Sequence, residues 1–280
     1  MKLKTLLVHL DHTERCAARV SLAAALARRH GSHLVGLLPT GRHEAAIPFG
    51  AVPRDAPDFA AATAAWLRRR ADQVAEAFRH HMAGVAGVSW EVCRTDRPAL
   101  HALVAHGRAA DLVILGQDDE HDPPEAALRD LGAKVMLEVG RPVLLVPCFG
   151  RFDSIGASVL VAWDGGRAAA VAMRAALPLL DAASRITVLS LRNPGEPEAE
   201  DLLLPPEQVA WFEHHGLRAT ARREIVDGDI TEALLSGARD VQADLLVMGG
   251  YGHSRWREWV LGGVTKRMLR WMTLPVLFAN

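Results

Sequence analysis

The sequence predicts an α/β protein made of two tandem copies of one doubly wound unit, each a parallel sheet with helices on both faces. Short Val/Leu/Ile runs alternate with Ala-rich segments of helical length along the 280 residues, as expected of strands buried on both sides by crossover helices. The chain also matches itself. Residues 6–11 align with 159–164, and 33–35 with 186–188, at an offset of 153, while 110–116 align with 243–249, and 142–144 with 275–277, at an offset of 133. The halves are therefore divided as 1–149 and 150–280.

Each copy reads βαβαβαβαβ. In the second, the apolar runs place strands at 158–163, 186–191, 221–226, 244–248 and 276–278, with helices near 168–183, 206–215, 230–241 and 262–272 between them. Asp229, with Glu232 three residues on, has the spacing of a capping box for the third helix, and Asp96 falls at the equivalent place in the first copy. The drop in offset from 153 to 133 means that the first copy carries twenty extra residues, which the Pro- and Gly-containing stretch 39–59 would hold as a long surface loop.

Composition excludes several function classes. With 32 basic and 33 acidic residues the formal charge is −1, so no net field attracts nucleic acid or an anionic bilayer. Cys16, Cys93 and Cys148 lack CxxC spacing, which points to reduced thiols in a cytoplasm rather than a disulfide frame or a zinc site. The apolar run before Asp11 is about six residues, too short for a signal segment, and no run reaches the roughly 18 residues of a membrane span. The expectation is a soluble, cytoplasmic protein.

Ligands of a doubly wound sheet bind beyond the carboxyl ends of the strands where strand order reverses, and Asp164 and Gly249 stand at two such ends. After Gly249 come Gly252, nine intervening residues, and Gly262-Gly263-Val264-Thr265 at the start of a helix. Glycines so placed let backbone N–H groups approach a phosphate where the helix dipole favours an anion. Other nucleotide motifs fit poorly. Thr265 precedes Lys266, the reverse of a P-loop ending, the run Gly250-Tyr251-Gly252 lacks the third glycine of a dinucleotide fingerprint, and Trp256 takes the place of the last glycine in GxSxG.

These residues resemble the universal stress proteins in their tandem two-domain form, over essentially the whole chain. The motif GxxG, nine residues, then GG carries most of the resemblance, supported by Asp164, the turn 226–230 and the closing strand 275–278. The resemblance implies an adenine nucleotide alpha hydrolase-like fold, two five-stranded sheets of order 3-2-1-4-5, with last strands pairing across a dimer or between the two halves. It implies ATP or another adenine nucleotide, with or without Mg2+, in the second domain. Asp164 would contact the adenine or ribose side and Leu189 would line the base. Gly249, Gly252 and His253 would offer backbone contacts to ribose and phosphates, and Gly262, Gly263, Val264 and Thr265 would bind phosphates. The departure is Gly263, where ATP-binding members carry serine or threonine, so that Thr265 is left to supply a hydroxyl.

The first copy departs further. Asp118, Asp119, Glu120 and Asp122 replace the glycines, and Arg129 and Asp130 align with Gly262 and Gly263. Clustered acids repel phosphate, and they lack the ligand spacing and glycine of an EF-hand, so this half reads as a non-binding partner in an intramolecular pseudo-dimer despite Asp11. A homodimer of whole chains is the further assembly option.

The pairs His80-His81 and His214-His215, and His101 with His106, lack ligand spacing, so no metal site is expected. Trp256 and Trp259 fit either shielding a nucleotide or packing, and the runs 68–70 and 222–223 of arginine read as solvated faces. No positioned base, catalytic lysine or metal-carboxylate pair stands by the phosphate site, so no catalytic residue is expected and any ATP hydrolysis should be slow. The function expected is a nucleotide-binding stress-response regulator. The alternative is a nucleotide-free stress or interaction protein with an inherited glycine loop. A nucleotide-using enzyme has less support, because neither an HxGH pair nor an SGGxDS loop is present.

Overall fold

The computed structural model describes residues 2–41, 58–118, 130–181, 184–194, 205–251 and 263–280. Apolar runs form strands and the Ala-rich segments between them form helices, in the order β1 (Thr5–His9), α1 (Cys16–His30), β2 (His33–Pro39), α2 (Phe59–Ala83), β3 (Ser89–Thr95), α3 (Ala99–Gly107), β4 (Leu112–Gly116), α4 (Leu131–Glu138) and β5 (Val143–Val146). The second half repeats them as β6 (Ser158–Ala162), α5 (Arg167–Ala176), β7 (Arg185–Arg192), α6 (Pro205–His214), β8 (Arg218–Ile225), α7 (Ile230–Asp240), β9 (Leu245–Gly249), α8 (Gly263–Trp271) and β10 (Val276–Ala279).

Each half has the order 3-2-1-4-5, and the two merge into one ten-stranded sheet, β3-β2-β1-β4-β5-β10-β9-β6-β7-β8. All neighbours are parallel except at the joint, where β5 and β10 run antiparallel with Leu144 opposite Leu277. Alternation sends successive residues to opposite faces. Leu6, Val8, Val159, Val161, Leu245 and Val247 join one core cluster with α1, α2 and α5, and Leu7, Leu160, Leu246 and Met248 join the other with α3, α4, α7 and α8. Both clusters draw on both halves. The outermost strands are half-exposed, and β8 carries Arg218, Arg222 and Arg223, charges that discourage a further strand from adding.

The structure departs from the sequence reading at the end of α5, at the start of α3 and in where the first half holds its extra length. Helix α5 stops at Ala176 and continues as a 3-10 turn, Leu177–Leu179, because Pro178 has no N–H to donate. Asp229 caps α7, its Oδ1 accepting from the N–H groups of Thr231 and Glu232 at 2.7 and 3.2 Å, whereas the cap position of α3 is Pro98 rather than Asp96. Helix α3 starts at Ala99 with Pro98 at the cap position, since a proline holds the residue before it out of the helical region. Of the stretch 39–59 expected to form a long loop, residues 42–57 lie outside the described residues; α2 has 25 residues where α6 has 10, so part of the first half's extra length lies in helix.

Candidate functional site

Strand order reverses where β6 pairs with β7 on one side and β9 on the other, which leaves a crevice beyond the strand ends. Its floor is set by backbone pairing, the N–H of Trp163 donating to the carbonyl of Leu189 at 2.9 Å. Asp164 follows, exposed, with Oδ1 accepting from the N–H of Gly166 at 2.8 Å. That turn fixes the carboxylate while its second oxygen has no partner in the turn. Leu189, Leu191, Ile230 and Leu234 supply an apolar wall, and Gly263, Val264 and Thr265 bring the first turn of α8 to the opposite side. The cleft so enclosed measures about 340 Å³, within the usual range of small-ligand sites.

Of the residues singled out from sequence, Asp164, Leu189, Gly249, Gly263, Val264 and Thr265 come together here. Gly252, His253 and Gly262 lie outside the described residues, as do Trp256 and Trp259. Two of the six do more than the sequence suggested. A Cβ on Gly249 would lie 2.7 Å from the carbonyl carbon of Ala168 and the nitrogen of Ala169, so this glycine lets α5 approach β9 as well as leaving backbone bare at the cleft. The hydroxyl of Thr265, itself buried, accepts the N–H of Tyr251 at 3.3 Å. Tyr251, at φ +52°, lines the cleft and had not been singled out.

The equivalent end of the first half is filled by its own side chains. Asp11 Oδ2 accepts from Arg19 Nη2 at 2.6 Å, Asp11 Oδ1 accepts from the N–H of Thr13 at 3.0 Å, and Arg19 Nε donates to the carbonyl of His9 at 3.0 Å. Arg19 is 2% exposed, and a Cβ on Gly116, which aligns with Gly249, would run into its guanidinium. The pocket left at the strand ends beside Asp11 is about 100 Å³, while a cleft of about 480 Å³ opens on the other side of Asp11, between α1 and α2. Burial works to raise the Asp11 pKa, but Arg19, His9 and the Thr13 bonds outweigh it and hold the carboxyl at about 2. Burial lowers His9 to about 4, so that it stands neutral. Sequence reasoning missed Arg19. The available signal was a single arginine on the buried stripe of α1, where the second copy has Ala172.

The other candidates are structural. Asp118 is raised by burial, with its Oδ2 accepting the N–H of Asp130 at 2.9 Å; Asp119, Glu120, Asp122 and Arg129 lie outside the described residues. His215 packs edge-on against Trp211, and His106 Nδ1 stands 3.8 Å from Cys93 Sγ. Among the described residues no group of three or more His, Cys, Asp or Glu is gathered to hold a metal ion, and no helix is long and apolar enough to cross a membrane.

Comparison with known proteins bears on the same half. Residues 157–280 match the model of the universal stress protein family. A universal stress protein of Synechocystis sp. is 32% identical over 178 residues, 60% of this chain and 57% of that protein, so the chain spans little more than half the length of this curated relative. The crystal structure of a universal stress protein from Archaeoglobus fulgidus is similar over 99% of this chain and 96% of its own, with a TM-score of 0.68 at 15% identity. A functionally unknown protein from Pseudomonas aeruginosa is similar over 99% of this chain and 92% of its own, with a TM-score of 0.55 at 15% identity. At such identities these two likenesses speak for the fold alone. Residues 157–280 are thus a universal stress protein domain by their family match, and the chain as a whole is similar in fold to a universal stress protein.

Proposed function

We propose that the cleft of the C-terminal half binds ATP or another adenine nucleotide, and that the protein uses this binding as a signal in a stress response, with 1–149 and 150–280 acting as two domains. The observation that carries the reading is the contrast between two equivalent strand ends. One has an exposed carboxylate, an apolar wall and a helix start around about 340 Å³, and the other has its carboxylate taken by the buried Arg19 and leaves about 100 Å³ at the strand ends.

The lining suits such a ligand. Leu189, Leu191, Ile230 and Leu234 form a slot for the flat face of a base, and the second oxygen of Asp164 is available to accept from a ribose hydroxyl or a base amino group. The open N–H groups in the first turn of α8 face a phosphate; Gly252, His253 and Gly262 would add to them as the family resemblance implies, and Mg2+ would enter with the phosphates. Asp164 is the one carboxylate among the described lining residues, and its open oxygen is suited to accepting a hydrogen bond from the ligand. Binding rather than turnover follows, as does slow hydrolysis at most.

The test is mass spectrometry of small molecules released from protein purified without added nucleotide, followed by calorimetric titration with Mg-ATP. The expected result is one binding event per chain. Gly263→Asp, which puts a carboxylate where Asp130 stands in the first half, should weaken it by at least about tenfold through charge repulsion alone. Two features favour the nucleotide-free interaction protein: Gly263 lacks the hydroxyl of ATP-binding relatives, and the Thr265 hydroxyl is already engaged by Tyr251. No released nucleotide and no heat at millimolar Mg-ATP would select that reading.

A further inference from the structure

Gly250 and Tyr251, the described residues that follow β9, are held in part from the other half of the molecule. Gly250 is buried, its N–H donates to the carbonyl of Ala279 at 2.9 Å, and a Cβ added to it would run into Met136 Sδ. Met136 belongs to α4 of the N-terminal half and is 1% exposed. A thioether therefore lies directly on the α-carbon of the residue before Tyr251. Tyr251 has φ +52°, a left-handed conformation that a bulky side chain keeps only where its surroundings hold it. Its own half supplies one restraint, the Thr265 hydroxyl. The first half supplies Met136 and also Asp130, the residue that opens α4. Burial and the Asp130 charge together push the Tyr251 phenol pKa up. Nearby, Gln117 Nε2 donates to the carbonyl of Arg270 at 2.8 Å while its Oε1 accepts the N–H of Cys148 at 3.0 Å, which fastens the end of α8 to the first half.

We propose that the N-terminal half, its own strand-end carboxylate already paired with Arg19, is the positioning element of the C-terminal cleft: Met136 seated on Gly250 fixes Tyr251 at the cleft rim, so that ligand binding and the packing of the two halves are coupled. The proposal rests on the nucleotide reading of that cleft. Coupling of this kind is reciprocal, so a ligand that prefers the held form of Tyr251 also tightens the contact between Met136 and Gly250.

Tyr251 is the single tyrosine of the chain, so isotope-labelled tyrosine gives one ring signal in an NMR spectrum of the full-length protein. Gly250→Ala drives a methyl group into Met136. It should shift that signal and weaken Mg-ATP binding by about tenfold, near the low end of typical coupling. Adding Met136→Ala opens room for the methyl group and should return both readouts toward wild type, whereas a merely destabilising change would not be rescued by a second truncation. Asp130→Asn should lower the phenol titration toward that of an ordinary tyrosine. If Gly250→Ala does not fold, Met136→Ala alone gives the same two readouts. A Tyr251 signal indifferent to all of these changes, or a loss in Gly250→Ala that Met136→Ala does not relieve, overturns the proposal. Wild-type protein that binds no Mg-ATP while the Tyr251 signal follows the expected pattern sinks the nucleotide reading and leaves the positioning contact standing.

Discussion

Arg19 shows how one side chain separates two copies of the same fold. A buried guanidinium is tolerated only with its charge met, and Asp11 and the His9 carbonyl meet it. Removing one partner of such a pair typically costs about 3–5 kcal/mol, so Arg19→Ala should lower the urea midpoint markedly. The same cluster sets a pH dependence. The folded Asp11 carboxyl titrates at about 2 against 3.8 for a free one, so its contribution of about 2 kcal/mol is complete above the free value and disappears as the pH falls toward the folded one. His9 adds to the loss on acidification, by a different route. Its folded pKa is about 4 against 6.5 when free. Across that interval the unfolded chain takes up the proton and the folded chain does not, so stability declines as the pH falls, by about 3 kcal/mol in all. Urea unfolding at steps between pH 7 and pH 4 should show this decline, and His9→Gln should flatten it; a wild-type profile already flat there contradicts the assignment. Beyond Asp11, the one trace of this in the sequence is an arginine on the apolar stripe of α1 where the second copy has Ala172, and its role shows only once α1 turns it back over the strand end.

At the scale of elements, legibility follows how much of a boundary is decided locally. Helix α7 was readable because Asp229 carries its own cap, and it starts at Ile230 as expected. Here Asp229 is further held by an ion pair with Arg267 of α8, which joins two helices that border the cleft. Asp229→Ala should therefore cost more than the roughly 1 kcal/mol of an ordinary cap, and chemical denaturation should find Arg267→Ala to be less than additive with it, since both remove the same contact. Strict additivity would mean that the cap and the ion pair act independently. The failures are equally physical. Asp96 stands at the place equivalent to Asp229, but Pro98 takes the cap position, a constraint on backbone rather than on side-chain pattern. The cleft itself was half legible: strand ends and helix starts placed Asp164, Gly249 and the run from Gly263 to Thr265, and the family resemblance placed Leu189, whereas Tyr251 and Met136 matter through a left-handed turn and a contact across the halves that spacing does not encode.

For the whole molecule the governing feature is the antiparallel joint of β5 and β10. It turns two five-stranded sheets into one, and it does so with fully apolar strands, Val143–Val146 against Val276–Ala279, every residue buried. The sequence reading left open whether the last strands pair within the chain or between chains, because an apolar edge strand has the same composition in either case. With the joint inside the chain, both core clusters run through it and are shared by the two halves. The two halves should then unfold as one unit. Trp66 and Trp90 in the first half and Trp163 and Trp211 in the second let fluorescence and circular dichroism be compared across a urea titration, and coincident transitions are expected. Leu144, opposite Leu277 at the centre of the joint, tests the point directly. Leu144→Ala should cost about 2–5 kcal/mol, the usual range for emptying a buried leucine site, and should lower both probes together, including the tryptophans of the half it does not belong to. Separation into two transitions, with only the first half weakened, would mean that the halves merely touch, and a ligand bound in the C-terminal cleft could then stabilise its own half alone rather than the whole chain.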